Sequence, residues 1–254
     1  MPIPADWPIT EAEALAEQER LRALVEPYGP GPAEGDLVAG VDVAYDDERD
    51  LVVAAAVLLD HTTLRVVEEA TAVGRIAFPY IPGLLAFREL PAVLDALAAL
   101  TRTPDLVVCD GYGLAHPRRL GLASHLGVLT GLRTYGVAKT PFTFTSTAPG
   151  PERGSWAPLM DVPADEGEGE GEGEGEGQGR SSQVEGRAEE VVGRAVRTRT
   201  GVKPVFVSVG HRIGLDEATA STLHLARDYR QPETTRGADS LCRRALTDLQ
   251  RASA

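Results

Sequence analysis

The chain has 254 residues, 43% of them hydrophobic, two cysteines and a formal net charge of −13. That length suits one large domain with its own core; Cys109 and Cys242 stand in unrelated contexts, which excludes a disulfide scaffold or a paired-cysteine metal site. Strong acidity argues against a nucleic-acid partner, but residues 165–176 read DEGEGEGEGEGE, seven acids without a base, which leaves about −6 for everything else.

The first residues lack a basic segment followed by an apolar one, and no run approaches about 18 apolar residues. A cytoplasmic, monomeric protein with no membrane partner is expected. Residues 10–26 open with Thr10, carry Glu13 three positions on and then show apolar residues at helical spacing, which predicts a capped amphipathic helix. Strand-like runs follow at Leu37 to Tyr45, Leu51 to Leu59 and Thr63 to Ile76, parted by acidic turns, as in an antiparallel meander. Helices are predicted at 83–100 and 120–132, with strands at 105–110 and 134–138, an alternation that calls for parallel pairing. Alternating Glu and Gly cannot bury a core, so about 164–182 reads as a disordered surface insertion; an acidic DNA mimic or partner hook is the sharper alternative. Beyond it come strands at Glu189 to Thr198 and Pro204 to Val209, and helices at 216–228 and 236–251. The fold class is α/β, a mixed sheet with helices on its faces.

Three acids fall where apolar residues are expected. In LVAGVDVAY, Asp42 shares a strand face with Val38, Gly40 and Ala44, where a lone carboxylate is costly unless paired or metal-bound. Glu89 lies at helical spacing between Leu85 and Val93, with solvent exposure as the plainer reading. Asp110 ends LVVCD, where open α/β sheets place their ligands, although a turn or capping role is also open. Together the three make an oxygen-ligand set for Mg²⁺, with Mn²⁺ as a substitute, and phosphodiester hydrolysis is the natural chemistry. His116, Arg118 and Arg119 follow Asp110 closely, so acid, backbone access and positive charge meet in one loop.

VAGVDVAY, PYIPGLLAFRELPAVL, PDLVVCDGYGLAHPRRLGLASHLGVL, YGVAKT, APLMD, SVGHR and YRQPETTRGAD, in that order, resemble the Endonuclease V family, the deoxyinosine 3′ endonucleases of DNA repair. The resemblance runs from about residue 10 to about 250 outside the insertion. It implies a ribonuclease H-like fold with a mixed five-stranded sheet and flanking helices, in a single nuclease domain spanning 1–254. It also implies cleavage of the second phosphodiester 3′ to the lesion in single- or double-stranded DNA, leaving 3′-hydroxyl and 5′-phosphate ends.

On this sequence the resemblance makes Asp42, Glu89 and Asp110 the catalytic carboxylates, with Asp42 and Asp110 as principal metal ligands and Glu89 completing the shell. His116 is implied to orient a water or to contact metal and scissile phosphate, and Lys139 to offset phosphate charge. Pro79, Tyr80, Ile81 and Pro82 match a wedge that enters the helix beside the lesion, a fitting task for a proline-flanked aromatic. Gly83, Gly111, Gly113, Gly121 and Gly136 would bring backbone close to a flipped base, although each alone reads as a tight turn. Arg118, Arg119 and His211 are candidate phosphate contacts, with local ion pairs or structural roles as alternatives. His125 reads as a packed helical histidine, and Asp239 stands where relatives carry an acid or a histidine. Two other functions stay open: an endonuclease for inosine in RNA, and a lesion-binding module that does not cut.

Overall fold

The computed structural model describes residues 4, 6–161 and 189–252. The Glu/Gly tract, and with it the expectation of a disordered insertion, lies outside the described residues.

Helix α1 (Glu11–Arg22) carries the expected capping box, with Thr10 Oγ1 accepting from the Glu13 amide and the Glu13 carboxylate accepting from the Thr10 amide. Strands β1 (Leu37–Asp46), β2 (Leu51–Asp60) and β3 (Val66–Arg75) form the meander. The third strand begins three residues later than the sequence pattern suggests. The Asp60 carboxylate accepts from both the amide and the hydroxyl of Thr63 and holds that residue in the turn.

Helix α2 (Leu85–Ala98), β4 (Leu106–Asp110), α3 (Leu122–Thr130) and β5 (Arg133–Ala138) follow, with β1, β4 and β5 parallel. Then come β6 (Trp156–Asp161), β7 (Glu190–Val196), β8 (Val205–His211), α4 (Leu215–Leu225) and α5 (Glu233–Ala252). Strand β6 has no counterpart among the predicted elements, because Pro158 in its middle argues against a strand. The structure tolerates it at the sheet edge, where among the described residues the outer side of the strand meets only an isolated bridge between Met160 and Thr145. Helix α5 starts earlier than expected, since Pro232 lies just ahead of its first turn and its carbonyl accepts from the Arg236 amide.

The eight strands run in the order β3-β2-β1-β4-β5-β8-β7-β6. The implied five-stranded sheet is therefore the first part of a larger one. Strand β8 pairs antiparallel with β5 and brings the β6–β7 hairpin with it.

Alternation along β1 assigns its faces. Ala39 and Val41 pack with α2 and α3 in one core, whereas Val38 joins α4 in another and Ala44 joins α5. Tyr135 is fully buried and its hydroxyl hydrogen-bonds Ser221 at 3.2 Å, tying β5 to α4. Gly40 lets α5 lie directly on β1: a Cβ there would stand 2.1 Å from the Thr234 carbonyl carbon. Gly40→Val should therefore cost about 2–3 kcal/mol by overpacking, readable as a lower urea midpoint. No helix among the described residues is long and apolar enough to cross a membrane.

Candidate active site

Parallel pairing puts two acids side by side. The β1–β4 register ends at Val41 opposite Cys109, so Asp42 and Asp110 come next on neighbouring strands and share the face that carries α4 and α5. Asp42 is mostly buried and its Oδ1 accepts from the Val43 amide at 2.8 Å. Burial and then the charge of Asp110 push its carboxyl up to about 7.

Glu89 arrives from α2 on the other side of the sheet, and it is buried rather than exposed. Burial pushes it up to about 8, against the Tyr45 hydroxyl that donates to its Oε1 at 3.0 Å. The charges of Asp42 and Asp110 raise it further. Asp239 on α5 adds a fourth carboxylate that raises Asp42 further, while pairing with Arg243 at 2.7 Å. Against these acids stands the Lys139 ammonium, 2.6 Å from Asp110 Oδ2.

Among the described residues, no three His, Cys, Asp or Glu side chains are already gathered tightly enough to hold a metal ion. The donor chemistry nevertheless fits a hard divalent cation. The donors are carboxylate oxygens, and two are raised by burial and by neighbouring carboxylate charge, a cost that a bound cation relieves.

Beside the acids lies a cavity of about 100 Å³, walled by Tyr80 to Gly83, Leu85, Gly111, Tyr112, His116, Gly121, Leu122 and Phe142. Tyr80 is 69% exposed at its rim with Pro79 and Pro82 also exposed, while Ile81 is anchored in a small core with Phe78, Leu84 and Phe87. An apolar ring is thus held in water on a rooted turn, the posture a wedge needs. Phe142 faces His116 with nearly parallel rings, centroids 6.1 Å apart, and also touches Tyr112.

His116 sits differently from its implied role. Its Nε2 lies 3.0 Å from the Gly83 carbonyl, which only accepts, and its Nδ1 lies 3.2 Å from the Arg118 amide, which only donates. The ring is therefore neutral with both nitrogens engaged, in line with burial pushing it down to about 4. It braces the turn that carries Tyr80.

The same Gly83 carbonyl accepts from Arg118 Nη2 at 2.9 Å and from Gln18 Nε2 at 2.9 Å. Gln18 is a component that the sequence reading overlooked. Its signal was there: a glutamine among Ala14 and Leu21 on the buried stripe of α1.

The other candidates divide between the cavity wall and places farther off. Arg118 is occupied with Gln18 and Gly83. Arg119 clamps Asp161 and Glu190, the two ends of the β6–β7 hairpin, so local acids hold it instead of phosphate. His211 is buried at the end of β8 remote from Lys139, where its Nδ1 accepts from the Glu26 amide at 3.1 Å. Gly113 and Gly136 lie outside the cavity. They give close passage where a Cβ would stand 1.9 Å from the Val209 oxygen and 2.4 Å from the Gly111 oxygen, letting the loop after Asp110 lie flat on the sheet. Gly83, Gly111 and Gly121 do line the cavity. His125 is packed between Trp7 and Phe87, and burial pushes it down to about 3.

A mixed sheet with β3-β2-β1-β4-β5 at its heart, helices on both faces and acids at adjoining strand ends defines the ribonuclease H-like class. A family model for Endonuclease V matches residues 19–240, and the chain belongs to the Endonuclease V family of nucleases. It is 63% identical over 247 residues to the Endonuclease V of Streptomyces coelicolor, covering 97% of this chain and 95% of that one. The crystal structure of Endonuclease V from Streptomyces avermitilis superposes with a TM-score of 0.84 at 60% identity, covering 98% of each chain. That of Ciona intestinalis Endonuclease V, in complex with a 24mer DNA containing an inosine followed by a ribo-adenosine, gives 0.71 at 29% identity, covering 94% of this chain and 98% of that one.

Proposed function

We propose that the protein is a divalent-metal-dependent repair endonuclease of the cytoplasm that recognises deoxyinosine and hydrolyses the second phosphodiester 3′ to it. The observation that carries this reading is the adjacency of two parts: a base-sized apolar cavity with an exposed aromatic at its rim, and the Asp42–Asp110–Lys139 cluster beside it. The inosine-containing DNA bound by the Ciona relative supports the same substrate.

Asp42 and Asp110 hold Mg²⁺ or Mn²⁺ in this reading, with Glu89 completing the surrounding water. The ion when bound supplies a more acidic water and charge neutralisation at the phosphate. Everything else falls to the chain. Lys139 offsets charge that builds on the phosphate oxygens during in-line attack. Tyr80 takes the place of the extruded base in the stack, and extrusion costs least for a base that pairs poorly, such as hypoxanthine. Tyr112, Phe142 and the glycine backbone close around that base and exclude water. Hypoxanthine offers an acceptor at O6 where adenine carries an amine, so a backbone N–H in the cavity discriminates between them.

Tyr80→Ala should weaken inosine-DNA binding by about 10-fold or more through lost base stacking, while leaving the metal-stabilised Tm unchanged. Gel-shift titration with Ca²⁺ in place of Mg²⁺ checks it. The ribo-adenosine in the Ciona complex keeps an RNA-directed activity in view. Matched inosine oligonucleotides of DNA and RNA decide between the two: faster DNA nicking is expected, and faster RNA nicking would replace the substrate.

A further inference from the structure

Lys139 is the sole lysine or arginine of the cluster with its charged group on Asp110 among the described residues, yet an ammonium on a four-carbon stem does not aim itself. Its direction is inherited from the backbone that carries it. Strand β5 ends at Ala138, which pairs with Phe206 of β8, so the carbonyls of Lys139 and Thr140 lie just past the last rung of the ladder. Such carbonyls need other donors if the segment is to hold one conformation.

Two side chains supply them. Arg230, from the connection between α4 and α5, donates through Nη2 to the Lys139 carbonyl at 2.6 Å and to the Pro204 carbonyl at 2.7 Å, and through Nε to the Lys203 carbonyl at 3.0 Å. One planar fork therefore joins the end of β5 to the start of β8. The Arg230 backbone is fixed in turn, its carbonyl accepting from Thr198 Oγ1 at 2.6 Å. Tyr112 acts from the other side: its hydroxyl donates to the Thr140 carbonyl at 2.5 Å, while its ring rests on Phe142 at the cavity. The residue two places after Asp110 thus reaches the loop of the lysine that pairs with Asp110.

We infer that Tyr112 and Arg230 are positioning residues that aim Lys139 at the acid pair, and that Tyr112 joins this aim to the wall of the base-binding cavity. This rests on Lys139 being the phosphate-facing cation of the proposed reaction. A lysine cannot replace Arg230, because a point ammonium cannot span three carbonyls that a guanidinium reaches at once.

A double-mutant cycle on nicking of inosine DNA with Mg²⁺ tests the inference. Tyr112→Phe keeps the ring and loses one hydrogen bond, so kcat should fall about 3- to 10-fold with KM unchanged within about twofold. Arg230→Lys should slow kcat further in the same manner. In a Lys139→Met background, both changes should alter kcat by less than about twofold, because nothing is left to aim. Equal losses with and without Lys139 would overturn the inference and mark both residues as structural. Lys139→Met nicking at the wild-type rate would overturn it too, while leaving inosine cleavage standing. A wild-type protein inert toward inosine DNA overturns the functional reading itself. Tyr112→Phe alone decides the matter if Arg230→Lys fails to fold.

Discussion

Asp110→Asn should reduce nicking of inosine DNA by about a thousandfold or more while making the metal-free protein more stable at pH 8. The first effect follows from position. Asp110 closes β4 beside Asp42 and holds the Lys139 ammonium at 2.6 Å, so its loss removes the carboxylate proposed to hold the metal, a charge partner and the anchor of the lysine together. The second follows from repulsion, since the charge of Asp110 is a leading cause, after burial, of the raised Asp42 carboxyl. An amide of the same shape relieves that strain, as functional sites commonly trade stability for activity. Nicking rates and thermal melts on one preparation check both effects; a slow variant that is also less stable would mean that Asp110 serves the fold first.

The second large effect is a stability profile set by the site. Asp42 and Glu89 are raised to about 7 and about 8, so the folded state binds their protons across a range where the unfolded chain has released them. Stability contributed by these groups is thus present below about pH 4, falls as pH rises and is lost by about pH 8. His116 and His125, depressed to about 4 and about 3, act in the opposite sense. They oppose folding only below the usual histidine value, so the two pairs offset one another in mildly acidic solution and the acids dominate above about pH 6.5. For Asp42 alone the opposition amounts to about 4 kcal/mol at pH 8, and Glu89 does not simply add to it because the two share their repulsion. Metal-free protein should therefore lose Tm between pH 6.5 and about 8, and millimolar Mg²⁺ or Mn²⁺ should restore it more at pH 8 than at pH 6. A metal-induced rise in Tm that is the same at both values would contradict the raised carboxyls.

Local patterns in the sequence revealed the site's acids because each breaks a local rule. Asp42 interrupts a strand that is apolar on both sides, and Asp110 ends a buried parallel strand. Glu89 was legible by helical spacing, although only the structure shows it buried and bonded to Tyr45. The exposed turn at Tyr80 was legible for a similar reason, as an aromatic between prolines has no helix or strand to join.

What was hidden depends on partners distant in the chain. Arg119 stood open between phosphate and an ion pair, and its acids were hidden until the fold brought Asp161 and Glu190 to it from 42 and 71 residues away. His116, expected to orient a water or contact metal and phosphate, is engaged by the Gly83 carbonyl, 33 positions earlier. Gly113 and Gly136 share the composition of a base pocket, but their space is taken by neighbouring backbone. Of the three outer strands, β7 and β8 were legible and only β6 was obscured, by Pro158, whose tolerance at an edge depends on knowing where the edge is.

The most direct measurement of the central claim is the position of the cut. End-labelled single- and double-stranded oligonucleotides with one deoxyinosine, incubated with the protein in Mg²⁺ or in EDTA, should yield a single nick at the second phosphodiester 3′ to the lesion in Mg²⁺ alone. A nick at another bond, cutting of the matched adenine strand at the same rate, or a nick unaffected by EDTA would contradict the account.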